Sequence, residues 1–243
     1  MKCIGHNFYY ADMIEYQSEP IPQIILEYVT GIELFDYIAK YDRILTEFQC
    51  IQLLKHLVKS VNYLYCKGYV DLDISPENIV VEELPTKRGS LSIKQIDMGL
   101  CVPMSEIESY LNKHRISKYL PGKPSYIAPE IYNYVRNPSQ PYNWDILQTM
   151  VYMIGIVMYT IMSNSSPCGH YGDYWYNYIH SSEWLWDALD SDFDILPGHK
   201  RVHLKYIRRY SNSLLSLIDA MIKPLQRRIS WTCLIHHMLL YGN

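Results

Sequence analysis

Hydrophobic and polar positions follow two regimes along the chain. Up to about residue 100 the apolar runs are mostly short, with one helical exception; from Ile146 they lengthen. Gln23 to Val29 is a short apolar run after Pro20 and Pro22, and it predicts a strand. Thr30-Gly31 breaks it, and Glu33 to Lys40 predicts a short helix. Thr46 is an N-cap residue, and Gln49 three positions on completes a capping box. Leu54, Leu57, Val58, Val61, Leu64 and Tyr65 follow at helical spacing, and Gly68 ends the run. Ile79 to Val81 and Leu91 to Ile96 predict two strands of a hairpin, with Glu83 to Ser90 as its connection. Helices are predicted over 146–162, about 173–189, about 211–223 and about 230–241. Residues 97–129 hold no sustained period and are punctuated by Gly99, Pro103, Pro121, Gly122 and Pro124. They predict a long functional loop. The expected fold class is α+β, mainly α: a hairpin or two followed by a helical body.

Composition narrows the picture. Of 243 residues, 49% are hydrophobic and 19% charged, which excludes a disordered chain. A net charge of −3 gives no basic footprint, so no nucleic-acid partner is expected. The most apolar run, Met150 to Met162, falls short of the ~20 residues a membrane span needs. It predicts a buried core helix. No secretory leader pattern and no Cys-x-x-Cys pair are seen among the six Cys, so reduced thiols and a cytoplasmic location are expected. The 24 Tyr against 4 Phe predict many half-buried rings.

The chemistry lies where the strands begin and end. Asp73 and Asn78 precede the first hairpin strand, and Asp97 follows the second. If the strands pair, the three side chains converge at one end. Oxygen ligands of this kind suit Mg²⁺ carrying a nucleotide phosphate, and a further carboxylate can accept a hydroxyl proton. That inventory matches phosphoryl transfer.

Five motifs in order turn this inventory into a family resemblance. Asp71-Leu72-Asp73-Ile74-Ser75-Pro76-Glu77-Asn78 resembles the protein-kinase catalytic loop, Asp97-Met98-Gly99 its D-F-G, and Ala128-Pro129-Glu130 its A-P-E. Leu26 to Phe35 resembles the hinge of Ser/Thr kinases of the calmodulin-dependent type, and Arg227-Arg228-Ile229-Ser230 with His236-His237 resembles the closing motif. The resemblance implies ATP and Mg²⁺ as cofactors and protein substrates or partners. It implies remnant N-lobe strands and hinge over 1–30 and a kinase C-lobe over 31–243.

It also implies roles. Asp73 is the base, and Asn78 and Asp97 hold Mg²⁺. Leu26 is the gatekeeper, Glu27 and Val29 offer backbone groups to adenine, Val80 packs under the ring, and Glu33 meets the ribose. Glu33 and Glu77 match positions that receive a basic substrate residue. Glu130 pairs with Arg228 as a structural ion pair.

Departures from the family pattern are equally specific. Leu72 replaces the catalytic-loop Arg, which removes the usual dock for an activation-loop phosphate. Asp71 and Met98 fall at packed positions, so the Asp71 carboxylate requires hydrogen-bond partners. Ser75 stands where the family has Lys, and Lys123 where it has Thr, which suggests one cation kept on a swapped carrier. The acid expected on the 146–162 helix to brace the catalytic loop is not at its counted position, Met150, and Asp145 is the nearest. Only 22 residues precede Gln23, without a Gly-rich loop, so weak or absent catalysis is expected, with an interaction scaffold as the alternative. His199 and His203 read as surface residues, and His236-His237 as a helix-end packing pair. Trp175, Tyr176, Tyr178, Trp184 and Trp186 read as core and lobe surface.

Overall fold

A computed structural model describes residues 3–9, 21–39, 44–85, 89–137, 139–164 and 209–240. Strand β1 (Cys3–Tyr9) runs antiparallel to β2 (Ile21–Leu26) in a two-stranded sheet. The strand expected over 23–29 is therefore shifted toward the N-terminus, and its partner lies at 3–9. Pro22 sits inside β2 opposite Phe8, which is tolerated because both strands of a pair are edges.

The second sheet supports the site. Strands β3 (Ile32–Glu33), β5 (Ile79–Glu83) and β6 (Leu91–Gln95) pair antiparallel in the order β3-β5-β6. The predicted hairpin is thus formed, with Ile79 opposite Gln95 and Glu83 opposite Leu91. Helix α1 (Leu34–Ala39) follows β3 directly. Helix α2 (Glu47–Cys66) starts at the predicted capping box: Thr46 Oγ1 accepts the Gln49 N–H at 3.3 Å, and Gln49 Oε1 accepts the Thr46 N–H at 2.9 Å. Leu53, Leu54, Leu57, Val58 and Val61 form its buried stripe, and Gly68 leaves the helix at φ +81°.

Residues 97–129 depart from the structureless loop expected. Strand β4 (Tyr69–Asp71) pairs with β7 (Cys101–Pro103), and helix α3 (Ile107–Ser117) follows, closed by Lys118 at φ +65°. Two buried residues four apart, Ile107 and Leu111, are too few to make a sequence period. Tertiary contacts hold α3 instead. Asn112 Oδ1 accepts the Tyr134 hydroxyl at 2.8 Å, and Arg115 donates to the Asn137 carbonyl at 3.1 Å while its guanidinium lies 4.7 Å from the Tyr134 ring centre. Tyr134 belongs to α4 (Pro129–Arg136).

The core is built on α5 (Ile146–Ser163), with α6 (Asn212–Ile222) against it and α7 (Trp231–Leu240) at the end. Helix α5 has 18 residues and mean hydropathy 1.6, enough by length and composition to cross a membrane, yet 89% of it is buried inside the protein. It is the core helix of this fold. Several tyrosines are buried more completely than expected, among them Tyr37, Tyr134 and Tyr210, because each hydroxyl finds an acceptor: Glu83, Asn112 and the Leu45 carbonyl. His236 and His237 are exposed on α7, contrary to the packing role expected. The 173–189 helix, the aromatic cluster from Trp175 to Trp186, and His199 and His203 lie outside the described residues.

Candidate active site

The loop between β4 and β5 carries the central group. Pro76 starts a short 3-10 turn that ends at Asn78, and the Asn78 N–H closes onto the Ser75 carbonyl at 3.1 Å. This turn swings Asn78 back over Asp73. Its side-chain amide donates to the Asp73 carbonyl at 2.9 Å and to Asp73 Oδ2 at 2.7 Å. Asp73 Oδ1 is buried and accepts no hydrogen bond among the described residues. A buried carboxylate oxygen with no donor is costly.

Gly122 lies against that oxygen. A Cβ there would meet the Leu72 carbonyl oxygen at 2.4 Å and Asp73 Oδ1 at 3.3 Å, and its φ is +71°. Glycine therefore permits the approach of the 121–125 segment to the loop. The next residue, Lys123, points inward: its ammonium donates to Ser75 Oγ at 2.6 Å and lies 3.3 Å from Glu77 Oε2 and 3.5 Å from Asn78 Oδ1. Ser75, Lys123, Glu77, Asn78 and Asp73 thus form one cluster.

Asp97 reaches this cluster through the backbone. The N–H of Ile96 donates to the Asn78 carbonyl at 2.8 Å, and the Leu72 N–H donates to the Leu100 carbonyl at 3.3 Å. Asp97 is exposed, in the left-handed region at φ +56°, and its Oδ1 accepts the Gly99 N–H at 3.0 Å. The candidate cation donors are the Asn78 amide oxygen, which the Lys123 ammonium approaches to 3.5 Å, and the exposed Asp97 carboxylate. Mg²⁺ takes one or two protein carboxylates and completes its shell with phosphate oxygens and water, so this set fits Mg²⁺ carried with a nucleotide. No group of three or more His, Cys, Asp or Glu suited to a metal occurs among the described residues.

Asp71 has the partners its buried position requires. Its Oδ1 accepts the Asp73 N–H at 2.9 Å, and its Oδ2 accepts from Gln95 Nε2. Gln95 in turn accepts the Ser60 hydroxyl at 2.7 Å. Burial, the largest cause, and the Asp73 and Asp97 charges push the Asp71 carboxyl up to about 6. The Asp73 N–H and Gln95 oppose that shift. Gln95 and Ser60 escaped the sequence reading. The available signal was a Gln at the end of a strand whose alternate residues, Leu91 and Ile93, are apolar.

The hinge residues are less tightly gathered. Strand pairing sets Glu33 opposite Val80, with Glu33 exposed and Val80 buried. Gly31, at φ +123°, lets the chain pass close to β5, where a Cβ would meet the Val81 carbonyl oxygen at 2.6 Å. Glu27 pairs its carboxylate with Lys94 on β6, and Val29 is half-buried. Leu26 is 45% exposed.

Behind the cluster, Arg228 forks onto Glu130 at 2.7 and 3.0 Å. Thr149 donates to Glu130 at 2.9 Å, and Arg228 also donates to the Gln148 and Lys223 carbonyls at 2.7 and 3.0 Å. Asp145 accepts the Leu147 N–H at 2.9 Å and so caps its own helix, while Met150 is fully buried.

Comparison with known proteins gives this geometry its context. The family model described as "Protein kinase domain" matches residues 8–240. The chain is 31% identical over 167 residues to smooth muscle myosin light chain kinase of Gallus gallus, covering 69% of this chain and 8% of that protein. It is 33% identical over 154 residues to death-associated protein kinase 2 of Mus musculus, covering 63% of this chain and 36% of that protein. The match therefore spans little more than a third, or less, of either relative's length. A crystal structure of Rad53 1–466 in complex with AMP-PNP superimposes with a TM-score of 0.60 at 19% identity, over 98% of this chain and 50% of that one. At that identity the likeness speaks for the fold.

Proposed function

Because this chain belongs to the protein kinase family, we propose that it transfers the γ-phosphoryl group of ATP to Ser or Thr hydroxyls of protein substrates. The observation that carries this reading is the Asp73 carboxylate: Asn78 holds Oδ2, and Oδ1 accepts no hydrogen bond among the described residues. In this reading Asp73 orients the hydroxyl and takes its proton. Asn78 and Asp97 hold Mg²⁺, which when bound neutralises charge on the phosphate oxygens. Lys123, fixed by Ser75, supplies a cation beside the transferring group. Val80, Leu26, Glu27 and Val29 bound the adenine, Glu33 meets the ribose, and Glu77 with Glu33 faces basic substrate residues. Glu130 and Arg228 act structurally. The Ser/Thr preference draws on the kinases to which the chain is similar.

A second reading, an interaction scaffold without catalysis, is favoured by Leu26: a residue closing an adenine slot should be buried, and this one is 45% exposed. Thermal-shift titration with Mg-ATP, paired with a phosphoryl-transfer assay of the chain and its Asp73→Asn variant, separates the two. Mg-ATP-dependent stabilisation together with transfer lost in Asp73→Asn supports the enzyme. The absence of both stabilisation and transfer supports the scaffold.

A further inference from the structure

Asp73 is held at two points. Asn78 fixes its carbonyl and one carboxylate oxygen, and Asp71 fixes its backbone N–H. Asp71 does not stand alone. Its second oxygen is taken by Gln95 Nε2, and the far end of that amide is taken by the Ser60 hydroxyl. The three residues come from β4, β6 and α2, and both strands pack against α2. Asp71 and Gln95 are both buried, so neither can exchange its partner for water.

We infer that Ser60, Gln95 and Asp71 form a buried relay that positions Asp73, with Gln95 as its polarity-setting link. An amide has one donor end and one acceptor end. The Asp71 carboxylate only accepts, so the donor end of Gln95 faces it and the acceptor end takes the Ser60 hydroxyl. That leaves both Asp71 oxygens as acceptors, one of them aimed at the Asp73 N–H. A carboxylate at position 95 would set two acceptors against each other and release Asp71 from its orientation. An amide at position 71 facing a carboxylate at position 95 would restore the sequence of donors and acceptors. The relay rests on the proposed role of Asp73 for its catalytic meaning, but not for its geometry.

The test uses the full ¹⁵N-labelled chain and reads hydrogen exchange at the Asp73 amide. Gln95→Glu should speed exchange about tenfold, the scale of one lost buried hydrogen bond. Asp71→Asn/Gln95→Glu should bring it back to within about threefold of the parent. Ser60→Ala, the mildest change, should give an increase between the two and guards against a Gln95→Glu variant that does not fold. Unchanged exchange in Ser60→Ala and Gln95→Glu, or a double variant no better than Gln95→Glu, overturns the relay. Phosphoryl transfer measured in parallel separates this from the assignment of Asp73. If exchange responds as described while Asp73→Asn leaves transfer intact, the relay stands and the base role falls.

Discussion

Arg228 and Glu130, 98 residues apart, form a two-pronged ion pair with almost no solvent contact. Two further donors of Arg228 go to backbone carbonyls, and its guanidinium lies 4.9 Å from the Tyr152 ring centre. Removing one partner strands the other charge. Arg228→Met should cost about 3–5 kcal/mol in urea denaturation. Glu130→Leu/Arg228→Met should be less destabilised than Arg228→Met alone, since no uncompensated charge remains.

Asp71 should imprint a pH step on stability. Its folded pKa of about 6 lies above the unfolded 3.8, so the folded state binds the proton more tightly. Stability attributable to this group is greatest below pH 3.8, falls as pH rises toward 6, and is level above that. The difference between the two plateaus is about 3 kcal/mol. Asp71→Asn lacks the step. The stability of Asp71→Asn relative to the parent should therefore rise between pH 4 and pH 6 and then hold constant. A flat difference across that window would contradict the assignment.

Gly155 lies where α5 and α6 pack closely. A Cβ there would lie 2.8 Å from both Met221 Cβ and Ile222 Cγ2. Met221 Cβ is anchored to the backbone and cannot swing away, so the helices must separate. Overpacking costs about 1–3 kcal/mol. The gain in helix propensity from Gly to Ala, about 1 kcal/mol, offsets part of it. Gly155→Ala should lose up to about 2 kcal/mol in equilibrium unfolding, whereas the same exchange at an open helical glycine stabilises.

How far these relationships could be read from the sequence depends on how local their causes are. The capping box at Thr46 and Gln49 and the β5–β6 hairpin follow from neighbours in sequence, and both are formed. The loop with Asp73 and Asn78 was visible through its spacing. Helix α3 was not, because Asn112–Tyr134 and Arg115–Asn137 hold it from a distance. The β4–β7 pairing is three residues long and too short to leave a pattern. Gln95 carries no signal of its role, because a single polar residue at a strand end reads as an edge, and only the fold brings Ser60 and Asp71 to its two ends. Asp145, the acid nearest the expected brace position, accepts the N–H of Leu147 in its own helix.

Lys123 makes the final and most direct test of the chemistry. Its ammonium is bound to Ser75 and flanked by Glu77 and Asn78, so its position is set by the same loop that carries Asp73. A cation held in place before the reaction stabilises charge that develops during transfer more than charge already present on the nucleotide. Lys123→Met should therefore lower the transfer rate about 10²-fold, the scale of one lost charge-stabilising donor. Mg-ATP affinity should change far less. Ser75→Ala keeps the ammonium but frees it, and its loss should be smaller than that of Lys123→Met. A Lys123→Met variant that turns over at the parent rate would remove Lys123 from the mechanism and leave it as a partner of Glu77.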